Sequence, residues 1–276
     1  MCRWLAYSGS PIRLEELLLD RDHSLIDQSL HSRLGATTTN GDGFGVGWYD
    51  DTDAPRLYRT VHPAWNDRNL RELAAGISSH LFLAHIRSST GSAIQETNTH
   101  PFRYGQWLWM HNGLIREFSR LRRELVSAVD DSLFASIEGT TDSEAMFYLA
   151  LTFGLESDPI GAVGRMVGLV EETARRHDVE QPLQMTIATT DGRTLWAFRY
   201  SSEGKSRSLF YSTRMDALKA LYPENEALAA LSDESRAVVS EPLGDLPGAW
   251  NEVPESHVGI IQPGNDELRA FAPQRP

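Results

Sequence analysis

Cysteine is almost missing: among 276 residues there is one, Cys2. A single thiol excludes an internal disulfide, and a reducing, cytoplasmic compartment is the expected location. Long apolar runs are missing as well. No stretch approaches the roughly 20 residues needed to span a bilayer. The chain also starts without the basic segment and apolar run of a signal peptide, so no membrane partner is expected. Positive charge is in deficit, with 26 Lys and Arg against 38 Asp and Glu, a net charge of −12. The acidic residues are spread along the chain, which argues against nucleic acid as a partner. Repeats, low-complexity tracts and Pro/Gly/Ser linkers are absent. So are a metal-binding HExxH spacing, a GxGxxG turn and a P-loop; no metal and no cofactor are expected.

What is present is an ordinary soluble composition, 41% hydrophobic and 23% charged. The segment NLRELAAGISS predicts a helix, HLFLAHIR and QWLWMHNG predict buried strands, and REFSRLRRELVSAV predicts another helix. Thr141 and Glu144 have capping-box spacing, which places a helix start there. Ile160, Val163, Val167, Val170 and Ala174 fall on one face of the next helix. Beyond Pro182 the pattern turns strand-like. Asp191-Gly192 separates two alternating runs and signals a hairpin. SLFYST, RAVVSEPL and HVGIIQPG are further short strands. Strands flanking a helix-rich centre indicate an α+β fold of two sheets with helices outside.

The position of the lone cysteine matters chemically. Initiator methionine is trimmed before a small second residue, and Cys2 would then carry a thiol and a free α-amine. An α-amino group titrates near 7.7–8.0, against about 10.4 for lysine, so it is a general base poised near neutrality. Such a thiol needs no histidine partner. The alternative for Cys2 is a small buried apolar residue. An amide hydrolase also needs donors for an oxyanion. Asn112 and Gly113, after an apolar strand, would supply a side-chain amide and a backbone N–H that the missing side chain leaves open to substrate; alternatively, the pair is a turn. Arg87, at the end of a buried strand, has the planar fork that grips a carboxylate, or it is an ion-pair arginine. Asp142 lies in a first helical turn, as a helix-dipole partner or as an acid for a substrate ammonium.

Taken in order, MCRWLAYSG, NGDGFGVGWY, AHIRSSTG, NTHPF, MHNG and TDSE resemble the class II glutamine amidotransferases, which are N-terminal-nucleophile hydrolases. The resemblance is strong over roughly residues 1–155 and weaker through VVSEPL and WNEVPESHVGIIQPG. It implies a four-layer αββα sandwich of two mainly antiparallel sheets between helix layers, with residues 2–276 forming a single domain. It makes Cys2 the nucleophile, Asn112 and Gly113 the oxyanion pair, Arg87 the carboxylate ligand and Asp142 the ammonium ligand. His100, in NTHPF, matches a pocket-side histidine, with a strand-end histidine bonded to backbone as the alternative. The glycines of GDGFGVGW are expected to serve close packing beside the thiol. The biosynthetic amidotransferases carry a synthase domain, which is not expected here, and SLIDQS, HPAWNDRNL and ETNTHPF resemble stand-alone γ-glutamyl hydrolases of the glutathione-degradation and ergothioneine-biosynthesis type. The activity implied is hydrolysis of a γ-glutamyl amide through a thioester on Cys2. The alternatives are a glutaminase feeding ammonia to a separate synthetase subunit, or a non-catalytic ligand-sensing subunit. Trp65 either covers the pocket and reads the leaving amine or packs beside the following helix.

Overall fold

The strand that begins one residue after Cys2 sets the architecture. The computed structural model describes residues 2–34, 38–89 and 91–276. Met1, whose removal the sequence suggests, and Thr90 of the AHIRSSTG motif lie outside them. In chain order the first half comprises β1 (Arg3–Arg13), α1 (Glu15–Leu18), α2 (Leu25–His31), β2 (Phe44–Trp48), β3 (Arg56–Thr60), α3 (Arg68–Gly76), β4 (Ser78–Ile86), β5 (Phe102–Tyr104) and β6 (Trp107–Ile115). The helical centre follows with α4 (Phe118–Ser127), α5 (Asp131–Phe134), α6 (Asp142–Thr152) and α7 (Pro159–Arg176). The last part comprises β7 (Leu183–Thr190), β8 (Leu195–Ser201), β9 (Phe210–Ser212), α8 (Met215–Leu221), α9 (Glu226–Ala229), β10 (Arg236–Val239), β11 (Trp250–Glu252), β12 (His257–Gln262) and β13 (Asn265–Ala270).

Two antiparallel sheets result. One has the order β11-β9-β10-β1-β4-β2-β3, the other β13-β12-β8-β7-β6-β5. Period-two alternation explains why they stack. In β1, Trp4 and Ala6 enter the core between the sheets, while Leu5 and Tyr7 face a core shared with α1, α2, α3, α8 and α9. In β6, Leu108 and Met110 point between the sheets, whereas Trp107 and Trp109 face the core of α4, α6 and α7. Three apolar layers between four structural layers make an αββα sandwich, as the resemblance implies.

The predicted elements reappear with instructive shifts. The helix predicted from Arg116 starts at Phe118, because β6 runs on to Ile115, Arg116 N donates to Pro182 O (2.7 Å) and Glu117 adopts a left-handed φ of 52°. The capping box is half realised. Thr141 Oγ1 accepts from Glu144 N (3.2 Å), but the Glu144 carboxylate turns to Glu138 N (2.9 Å) and Gly139 N (2.7 Å). Val163, Val167, Val170 and Ala174 are buried in α7 as their spacing predicts. The Asp191-Gly192 hairpin joins β7 to β8, with Gly192 at φ 89°. Among the described residues, no helix is long and apolar enough to cross a membrane.

Candidate active site

Cys2 sits where the first strands of one sheet meet β6 of the other. Arg3 pairs with Ile86 across β1 and β4, so the thiol lies beside the end of β4. There Ser88 N donates to Cys2 Sγ (3.4 Å) and the thiol approaches Ser88 O (3.6 Å). Burial pushes the thiol pKa up; the Ser88 N–H and the Arg87 and Arg207 charges pull it down. The Cys2 carbonyl is held from two sides, by Asn112 Nδ2 (2.9 Å) and Arg3 Nη1 (2.9 Å). A primary amide has two N–H groups. With one on the Cys2 carbonyl, Asn112 keeps a second for another acceptor.

Gly113 follows Asn112 on β6. Arg116 N faces Pro182 beside β7, whereas Ile115 N donates to Asp142 Oδ2 (2.8 Å). Backbone N–H directions alternate along a strand. The Gly113 N–H therefore points away from β7, on the same side as that of Ile115. The missing side chain also has a packing reason. A Cβ at Gly113 would lie 1.9 Å from Gln184 O and 2.5 Å from His111 Nε2. Close approach of β7 alone demands the glycine.

Arg87 extends from the end of β4 and is 3% exposed. Its backbone is clamped by the preceding glycine-rich loop: Arg87 N donates to Gly43 O (2.8 Å) and Asp42 N to Arg87 O (3.1 Å). Nη2 donates to Ser92 Oγ (2.8 Å), Ala93 O (2.9 Å) and Ser89 Oγ (3.4 Å). Nη1 is buried and has no hydrogen-bond partner among the described residues. The surroundings fix the fork and leave one of its arms for an anion.

Asp142 opens α6, and its carboxylate is already engaged. Oδ2 accepts from Ile115 N (2.8 Å) and Oδ1 from Ser143 N (2.7 Å), tying the end of β6 to the helix start. His111 lies between these elements, with Nδ1 2.8 Å from Ser143 Oγ. Burial lowers the His111 pKa; Asp142 raises it and Arg207 lowers it. His100 is packed against rings rather than against the thiol, with centroids 4.2 Å from His85 and 4.6 Å from Phe102. Burial holds His85 near pKa 3 and His100 well below its ordinary value, which makes both imidazoles neutral. The glycines of GDGFGVGW do serve packing: a Cβ at Gly45 would lie 2.1 Å from His100 O. Trp65 packs into the helix-side core of the first sheet and covers Gly41, where a Cβ would be 2.6 Å from the indole.

Three residues around the thiol had no place in the sequence argument. Glu241, 1% exposed, accepts from Arg3 Nε (2.7 Å), His23 Nε2 (2.6 Å), Ser32 Oγ (3.2 Å), Arg33 N (2.7 Å) and Leu34 N (3.0 Å). Glu241 thus fixes the arginine that holds the Cys2 carbonyl. Arg207 brings a further cation to the thiol. Arg3 is adjacent to Cys2 in the first motif and Glu241 lies in VVSEPL, which were the available signals; Arg207 carries none. A separate cavity of about 530 Å³ opens between the first sheet and α8–α9, and Cys2, Arg87, His100, Asn112, Gly113 and Asp142 do not line it. No cluster of metal-ligating side chains occurs among the described residues.

This fold, with a thiol at the head of β1 and an Asn-Gly pair on the facing sheet, is that of the N-terminal-nucleophile amidotransferases. Residues 19–266 match the family "Glutamine amidotransferases class-II", and the chain belongs to that family; Cys2 lies ahead of the matched span. It is accordingly an amidohydrolase of the glutamine amidotransferase type. It is 35% identical to the probable glutamine amidotransferase DUG3 of Saccharomyces cerevisiae, over 95% of this chain and 82% of the relative. It is 30% identical to the γ-glutamyl-hercynylcysteine sulfoxide hydrolase of Mycolicibacterium smegmatis, over 94% of each. A glutamine aminotransferase class-II domain protein from Silicibacter pomeroyi matches in structure with a TM-score of 0.75, at 34% identity over 99% of both chains. A glutamine phosphoribosylpyrophosphate amidotransferase from B. subtilis, 12% identical, shares the fold over 99% of this chain and 50% of its own, with a TM-score of 0.65.

Proposed function

We propose that the protein hydrolyses γ-glutamyl amides through a γ-glutamyl thioester on Cys2, residues 2–276 acting as one catalytic unit. The observation that carries this reading is the meeting of three groups from distant segments: the Cys2 thiol, Asn112 on its carbonyl, and the buried Arg87 fork with an arm to spare. The relatives named above as a glutamine amidotransferase and a γ-glutamyl hydrolase support the substrate class.

After removal of Met1, the free α-amine of Cys2 takes the thiol proton. The thiolate attacks the γ-carbonyl carbon, and the C–O π electrons move onto oxygen. Asn112 Nδ2 and the Gly113 N–H donate to that oxyanion. The α-ammonium returns the proton to the leaving nitrogen as the C–N bond breaks, which leaves the thioester. Water, deprotonated by the same amine, attacks the thioester; glutamate departs and the thiol is restored. Arg87 holds the substrate α-carboxylate, and Asp142, fixed by the Ile115 and Ser143 amides, faces its α-ammonium. His100 and His85, buried and neutral, shape the floor.

The test is glutamate release from glutamine and γ-glutamyl peptides, with the mass of the intact protein measured alongside. Active protein is expected to start at Cys2, and Cys2→Ala to abolish release while leaving the fold intact. Wild-type turnover by Cys2→Ala, or full activity in protein that retains Met1, would refute the mechanism.

A further inference from the structure

We propose that His23 is a positioning residue for Cys2: its ring holds Glu241 so that Arg3 can hold the Cys2 carbonyl. This rests on the γ-glutamyl hydrolase reading above, and it gives the SLIDQS motif a duty there.

A residue at a chain terminus has no backbone on its amino side to orient it. After removal of Met1, the contacts of its carbonyl and thiol restrain Cys2. Arg3 Nη1 (2.9 Å) and Asn112 Nδ2 (2.9 Å) share that carbonyl, so Arg3 sets the place of the nucleophile, of its α-amine and of the oxyanion donor together. Arg3 is itself buried and depends on Glu241, whose Oε2 accepts from Arg3 Nε (2.7 Å). The other oxygen, Oε1, accepts from His23 Nε2 (2.6 Å) and Arg33 N (2.7 Å). His23 Nδ1 lies 2.8 Å from Asp27 Oδ2, and Asp27 Oδ1 lies 2.9 Å from Nδ1 of the exposed His31. An unbroken hydrogen-bonded path thus leads from His31 at the surface through Asp27, His23, Glu241 and Arg3 to the Cys2 carbonyl.

The motif builds the outer half of this path. Ser24 caps α2 by accepting from Asp27 N (3.2 Å), which sets Asp27 one helical turn beyond His23. Gln28 Nε2 faces three carbonyls, those of His23 (3.1 Å), Glu241 (3.1 Å) and Pro242 (3.3 Å). His23 N donates to Leu243 O (3.2 Å). The start of α2 is therefore bonded to the backbone of VVSEPL on both sides of the ring, and the His23–Glu241 contact is fixed by its surroundings. A carboxylate oxygen only accepts, so the ring spans two acceptors as a double donor. Burial opposes ionisation of Asp27, and the bonds from His31 and His23 outweigh it. A row of charged groups inside a fold is a poor route to stability, since apolar residues of similar volume serve as well or better. What this row does provide is a fixed Arg3, and the inner end of the path is the peptide group of the nucleophile.

The two ring bonds can be separated by substitution. Glutamine carries its amide nitrogen at about the reach of Nε2, and asparagine at about the reach of Nδ1. His23→Gln keeps a donor for Glu241 and gives up Asp27; His23→Asn does the reverse. His23→Asn is expected to lower kcat for glutamate release roughly 10- to 100-fold, the scale of a misplaced reacting group, and His23→Gln to stay within about threefold of wild type. KM should change little in either, because Arg87 and Asp142 are untouched. Cys2 is the only cysteine, so alkylation by iodoacetamide reads its thiol without any glutamyl substrate. Alkylation should slow in His23→Asn and not in His23→Gln, because a loosened α-amine takes up less of the thiol proton. Equal losses of kcat in both variants, or a larger loss in His23→Gln, would make the ring a support for α2 through Asp27 and overturn the proposal. So would an effect confined to KM. Should His23→Asn not fold, His23→Gln decides by itself: near-wild-type kcat supports transmission through Glu241, and a tenfold or greater loss overturns it. If even the wild-type protein releases no glutamate, the hydrolase reading fails, while the alkylation rates still show whether His23 acts on Cys2.

Discussion

Replacing Glu241 by Gln preserves side-chain volume and removes one charge, in a place where the structure makes that charge count. Burial opposes ionisation of Glu241. The His23 ring, the Arg33 and Leu34 N–H groups and the Arg3 charge outweigh it, bringing its pKa from 4.5 to about 2. A carboxyl that is more acidic when folded stabilises the fold at neutral pH, and the contribution fades as pH falls from the unfolded pKa through the folded one. The shift corresponds to about 3 kcal/mol at pH 7 and about 1.5 kcal/mol at pH 3. A second route gives a similar size: removing one partner of a buried pair costs roughly 3–5 kcal/mol. The amide cannot escape by rotation, because both carboxylate oxygens face donors, and an NH₂ in either position meets them head on. Urea unfolding of wild type and Glu241→Gln at pH 7 and pH 3 is the assay. The stability gap is expected to be about 3 kcal/mol or more at pH 7 and to shrink by about 2 kcal/mol at pH 3. His85 and His100 bind protons more readily in the unfolded chain, which weakens both proteins in acid; the difference between them at each pH removes that contribution. A gap under 1 kcal/mol at pH 7, or one unchanged at pH 3, would show that Glu241 does not act as a buried anion.

Asn112→Ala should lower kcat by roughly 10²–10³-fold with little change in KM, since its free N–H acts once negative charge develops; a change confined to KM would assign it to ground-state binding. Gly113→Ala should lower stability by about 1–3 kcal/mol through the clash with Gln184 O, and an unshifted thermal midpoint would contradict the close strand approach. Arg87→Lys should depress kcat/KM for all γ-glutamyl substrates by a similar factor, because a point charge lacks the fork. A substrate-dependent loss would show that Arg87 also reads the leaving group.

Part of the site was legible because periodicity can place the end of a buried strand. HLFLAHIR is apolar on both faces and must be buried, so Arg87 had to emerge where it stops. Asn112 and Gly113 instead lie inside β6, which runs on to Ile115, and not after its apolar run as the sequence suggests. What the pattern could not settle was which of two duties a residue performs. Asp142 carries out the helix-start duty and binds Ile115 N as well. Gly113 is a glycine that the close approach of β7 requires. Trp65 packs over Gly41 against the helix-side core. Each outcome depends on an atom contributed by a partner far away in sequence, and single-chain periodicity does not report such partners.

The same limit explains why the duty of Glu241 was not readable, although VVSEPL was. It lies over 200 residues from Cys2 and reaches its neighbour Arg3 because β10 pairs with β1, putting Ser240 opposite Trp4 and Glu241 opposite Arg3. The late strand RAVV was readable, but its register was not, and register decides which residues stand beside the thiol. The consequence is a division of labour along the chain. The amino-terminal half supplies the groups that the proposed function assigns to the γ-glutamyl end: the Cys2 thiol, the Arg87 fork, Asn112, Gly113 and Asp142. The carboxy-terminal strands supply the other flank of β1, where Ser240 holds Trp4 and Glu241 holds Arg3. Motifs for the proposed chemistry therefore crowd the first half, while the contact that fixes the Cys2 carbonyl through Arg3 comes from the far end of the chain.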